Sequence, residues 1–115
     1  MSVSLRHHRR FLLLPMFSLV LSAQAGAQCT EPALPTVPDA ASATKEDMLA
    51  AYRDMRAYQQ SAQSYLDCLD ALKLSEPDVD VEVLLERLNA YNRTVDNMDA
   101  ISRQVHRQLD SVNAR

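Results

Sequence analysis

Apolar residues recur along most of the chain at alternating steps of three and four. One line runs Met48, Ala51, Met55, Tyr58, Ala62, Tyr65, Leu69 and Leu72, all apolar or aromatic. A second runs Val81, Leu84, Leu88, Tyr91, Val95, Met98, Ser102, Val105, Leu109 and Val112, broken only at Ser102. The spacing is that of a heptad seam, made by helices that pack side by side. It predicts two helices, over about 45–74 and 79–113.

The ends of these helices carry their own signals. Thr44-Lys45-Glu46-Asp47 matches a capping box, with acids in the first turn where the helix dipole favours them. Between the two lines, "LSEPDVD" holds Ser75 and Pro77. Proline inside a helix forfeits a hydrogen bond, so the first helix should stop near Leu74. So short a connection makes the helices antiparallel neighbours. Folding about residues 76–77 sets Leu69 against Leu84, Ala62 against Tyr91 and Met55 against Met98.

Ahead of the helices the pattern changes twice. Residues 1–27 read as a cleaved secretory signal: a basic stretch from Arg6 to Arg10, the apolar run "FLLLPMFSLVLSA", then small residues ending at Ala27. The apolar run is too short to span a bilayer comfortably. Gln28 and Gly26 depart from a lipoprotein signal, so Cys29 is not expected to carry lipid. Residues 28–43 form a segment with Pro32, Pro35 and Pro38 at the three-residue repeat of polyproline II. The prolines would line one face, Leu34, Val37 and Ala40 a second, and Thr30, Ala33, Thr36 and Asp39 the third, toward water.

Composition narrows the function classes. With Arg6, Arg9 and Arg10 in the leader, the mature chain keeps nine Lys and Arg against 15 Asp and Glu, a net charge of −6. That disfavours nucleic acid and anionic membranes as partners. The one glycine, Gly26, also lies in the leader. Phosphate-cradling loops and dinucleotide fingerprints are therefore absent, and a glycine-free chain with few β-branched runs is most easily helical.

The mature chain has two cysteines, Cys29 and Cys68. An exported chain with an even count favours a disulfide between them. The distances permit it. Cys68 stands about 36 Å along the first helix from Thr44, and the 15-residue tether from Cys29 reaches about 46 Å when extended. The leading segment would then run antiparallel to the first helix and cover the seam. Asp67 and Asp70 beside Cys68 disfavour a thiolate, so a reactive-cysteine role is the weaker reading.

No catalytic constellation stands out in the order or spacing of residues. His106 is the one histidine of the mature chain. Met48, Met55, Met98 and His106 could form a metal or small-ligand carrier across the hairpin, and this is the alternative reading. At seam spacing such methionines are far more often core residues than ligands. Tyr52, Leu66 and Leu85 fall beside the main seams and form the candidate interface, with a second copy as one possible partner.

At the level of the whole mature chain a resemblance appears. The proline-spaced segment behind a cysteine, "ATKEDMLAAYRDMRAYQQSAQSYLDCL" and "LNAYNRTVDNMDAISRQVHRQL", with Tyr91, Asn92, Asp96, Asn97 and Met98, resemble small uncharacterised secreted proteins of Proteobacteria. The resemblance implies a periplasmic helical protein and brings no activity. The expectation is thus an all-α protein: an antiparallel, coiled-coil-like two-helix hairpin with a disulfide-tethered, proline-rich N-terminal segment. It should be periplasmic, non-enzymatic and without a cofactor, and should not enter the membrane once the signal is cleaved.

Overall fold

The computed structural model describes residues 29–115. The signal expected over residues 1–27, with its expected cleavage after Ala27, lies outside the described residues. The chain forms two long helices, α1 (Lys45–Ser75) and α2 (Val81–Asn113), joined by a short connection. No strand is present among the described residues. Both helices fall within a few residues of the spans expected from periodicity.

Helix α1 starts at the capping box. The Asp47 N–H donates to Thr44 Oγ1 at 3.1 Å, and the Thr44 N–H donates to Asp47 Oδ2 at 2.9 Å. Two of the donors that a helix start leaves without partners are so satisfied. The helix ends at Ser75, where the Glu76 N–H still reaches the Leu72 carbonyl at 2.8 Å. Pro77 follows and ends the run. Helix α2 opens after Asp80, with Glu82 in its first turn.

The helices pack antiparallel, and the leading segment fills one side of the groove between them. The core falls into three clusters along the hairpin. The first joins Ala40, Ala43, Met48 and Ala51 to Val112. The second joins Met55, Tyr58 and Ala62 to Ile101 and Val105. The third joins Tyr65 and Leu69 to Ala90. The leading segment has a residue at each: Ala40 and Ala43 in the first, Val37 against the first and second, Cys29 against the third.

The register differs from the expected one by about a heptad. Met55 shares its cluster with Val105 rather than sitting opposite Met98 alone, and Leu69 meets Ala90 rather than Leu84. A heptad repeat looks the same after a slide of seven residues, so periodicity does not separate the two registers. The leading segment breaks this degeneracy, because it holds α1 and α2 at fixed heights.

Candidate interaction surface

Cys29 and Cys68 are joined by a disulfide, with Cα atoms 5.6 Å apart. No free cysteine remains. Past the bond, Glu31 grips Arg93 of α2 through both oxygens, at 2.9 and 2.8 Å. The Arg93 guanidinium holds the Glu31 carboxyl below the usual carboxylate range. Pro32, Pro35 and Pro38 are half-buried, while Thr30, Ala33, Thr36 and Asp39 face water, as the three-residue repeat predicts. Leu34 departs from that scheme and is 50% exposed.

At its far end the segment turns into α1. The Asp39 carbonyl accepts from the Ala43 N–H at 2.9 Å, and the Ala40 N–H donates to Gln108 Oε1 at 2.9 Å. Arg115 closes the corner by donating to the carbonyls of Ala40 and Ala43. Sequence reasoning did not single out Glu31, Arg93, Gln108 or Arg115. Their side chains are ordinary surface types, and only the docked segment gives them partners.

Three residues were expected to form one interface, and the structure separates them. Leu66 is buried and belongs to the hairpin's own interior. Tyr52 is half-buried and meets the His106 ring edge-on at 6.0 Å. Leu85 is 54% exposed. The carrier set is also divided. Met48 is fully buried in the first cluster, and Met55 is buried in the second with Met98 against it. His106 is exposed, with Nδ1 2.6 Å from the Ser102 carbonyl. Among the described residues no three His, Cys, Asp or Glu side chains group as a metal site would require.

What the structure does bring together is an apolar face on the first half of α2. Val81, Leu84, Leu85, Leu88 and Val95 are all exposed. Four of the five were expected in the seam. The cause is geometric. A straight α-helix drifts by about 20° per heptad against a strict seven-residue line. Val112 and Val105 are buried, Met98 and Tyr91 are half-buried, and Leu84 is 49% exposed. The companion line rises in the same order, from half-buried Leu109 and Ser102 to exposed Val95, Leu88 and Val81. The buried line instead passes through Ala90 and Thr94, and the Thr94 hydroxyl is satisfied by the Ala90 carbonyl at 2.8 Å.

On the other flank of α2, just beyond Cys29, the groove that holds the leading segment stays open. It forms a cleft of about 430 Å³ lined by Tyr65, Leu69, Leu72, Val83, Arg87 and Ala90, among others. Arg87 is paired with Glu76, and its Nη1 is buried with no hydrogen-bond partner. The Tyr65 phenol above this cleft is pushed up by burial first and by the Glu31 charge second, so it stays protonated.

Among the described residues no helix is long and apolar enough to cross a membrane. No protein-family model, curated protein or solved structure matches the chain.

Proposed function

We propose that the protein is a secreted, periplasmic helical-hairpin module that acts by binding protein and catalyses no reaction. The observation that carries this reading is the row of exposed apolar side chains, Val81, Leu84, Leu85, Leu88 and Val95, on one stretch of α2. A contiguous apolar face of this kind on a folded chain marks an interaction surface. The disulfide supports export, because such bonds persist in oxidising compartments. The leader read from residues 1–27 supports the same compartment.

The stapled leading segment suits a binding role. It fixes one side of the hairpin and leaves the opposite side of α2 presented on a rigid support, which lowers the ordering cost of association. A photo-reactive residue placed at Leu88 in the living cell tests the reading. Protein adducts should form from Leu88 and not from the exposed polar position Arg56. Equal or absent crosslinking at the two positions would remove the interaction surface.

A further inference from the structure

We infer that the apolar face of α2 binds the same face of a second copy, antiparallel, about a two-fold axis passing at Leu88. The inference rests on the protein-binding reading above and names the partner.

The first support is the pattern of the face. Val81 and Val95 stand seven residues either side of Leu88. Leu84 and Leu85 on one side are answered by Tyr91 and Asn92 on the other. Turning one copy over about Leu88 sets Val81 on the partner's Val95 and Leu84 beside the partner's Tyr91, a branched side chain against a large one. A two-fold interface needs this self-complementarity, because each patch must fit itself reversed.

The second support is the spacing. Val81, Leu84, Leu88, Tyr91 and Val95 keep the heptad line along which helices interlock. Inside the monomer that line has drifted off α1. At about 100° per residue, the exposed face lies roughly a third of a turn from the buried line through Ala90, Thr94 and Ile101. That is a suitable offset for a further helix neighbour, and two hairpins so joined make a four-helix assembly.

The third support is size and charge. The face runs about 21 Å along the helix. Its half-exposed side chains offer on the order of 500 Å² per copy, so a pair reaches the roughly 1,000 Å² that a specific interface requires. No charged side chain lies within the heptad line from Val81 to Val95. The Lys73 ammonium sits 5.4 Å from the Tyr91 ring centre at the rim, paired with Asp70. Arg87 is turned away to Glu76. An anionic membrane is a poor occupant, since the mature chain carries a net charge of −6 and Asp80, Glu82 and Asp96 flank the face. The leading segment is not the occupant either, because it is committed to the other side of the hairpin by Cys29, Glu31 and Ala40.

Sedimentation of the mature protein, with its disulfide intact, tests the inference. The mass should double as concentration rises through the micromolar range. Leu88→Glu should raise the dissociation constant at least about thirtyfold, as loss of a central anchor does. It should leave the helical signal and melting of the monomer unchanged. Leu88→Cys, lying on the axis, should form an intermolecular disulfide much faster than Leu49→Cys, an equally exposed leucine on α1. A strict monomer at high micromolar concentration overturns the inference, as does crosslinking of Leu88→Cys no faster than Leu49→Cys. If the monomer nevertheless gives adducts with a different protein from Leu88 in the cell, the second copy is excluded while the binding reading stands.

Discussion

The two halves of α2 are built from the same heptad spacing and meet opposite fates. From Ile101 to Val112 the apolar residues are buried or, at Leu109, half-buried, with Val105 at 0% exposure. From Val81 to Val95 most of them stand in water, with Leu88 at 49% and only Ala90 buried. Hydrophobicity does not separate them, since valines and leucines occur in both. Neighbours do. The C-terminal half meets α1 along its seam and receives Val37 and Ala40 of the leading segment from the side. The N-terminal half meets the described leading segment only at Ala90 and Arg93, where Cys29 and Glu31 reach it, and has α1 as its neighbour before that. A two-helix hairpin buries only one strip of each helix, and a third element decides how much more is covered.

The largest way to break this contrast is to release the third element. Replacing either cysteine by serine opens a loop that spans 39 residues in sequence separation. Denaturant unfolding of Cys29→Ser and Cys68→Ser should each show a loss of about 3–4 kcal/mol, and the two should be alike because both remove one constraint. If neither loses stability, the leading segment does not hold the hairpin together.

A core truncation sharpens the contrast. Met55→Ala, in the covered part, should cost about 2–3 kcal/mol through lost burial and a residual cavity. Leu88→Ala should change monomer stability by no more than about 0.5 kcal/mol, as an exposed position does. Paired denaturation curves at low protein concentration make the measurement. Equal losses would mean that the face of α2 is part of the monomer's core.

The cap is next in size. Thr44→Ala removes the hydroxyl that accepts from the Asp47 N–H and should cost about 1 kcal/mol. Asp47 adds a pH signature. The Thr44 N–H first, and its hydroxyl second, hold the Asp47 carboxyl below its ordinary range. A group whose folded pKa is lowered contributes stability above its unfolded value, near about 4. That contribution is lost as pH falls through the lowered folded value. Thermal melts of the wild type and Asp47→Ala should therefore differ at neutral pH and converge in acid. Parallel curves at all pH values would remove the carboxylate from the cap.

The smallest effect concerns the exposed Glu31–Arg93 pair. Glu31→Gln should cost within about 0–1 kcal/mol, as surface ion pairs do. Its clearer readout is hydrogen exchange. Amides near Thr30 and Glu31 should exchange faster, while those around Ala40, held by Gln108 and Arg115, should not change. Uniform acceleration along the segment would mean that it docks as one unit rather than at separate points.

Much of the fold was legible in the residues. The capping box at Thr44 and the break at Pro77 mark helix limits through local chemistry, which needs no tertiary partner. The Cys29–Cys68 pairing follows from count and reach, since a tether of known length and a helix of known rise permit it. The proline repeat predicted the wet face of the leading segment because polyproline II has a fixed period. The candidate interface was read less well. Leu85 is exposed, but Leu66 is buried and Tyr52 is occupied by His106. Periodicity places Leu84, Leu88 and Val95 in the seam because a one-dimensional line does not record the drift of a straight helix around its axis.

The sequence by itself determined the two helices, their ends, the bond between the cysteines and the antiparallel path. All of these rest on local propensity, chain length or covalent reach. Only the tertiary structure decided the register, the placing of Leu66 inside and Leu88 outside, and the partners of Glu31, Gln108 and Arg115. These depend on how a seven-residue pattern meets a 3.6-residue helix, and on which side of the seam the leading segment takes. A periodic line of apolar residues states that a face must be covered. What covers it is set by the other elements that reach it, and along the first half of α2 none within the described chain does.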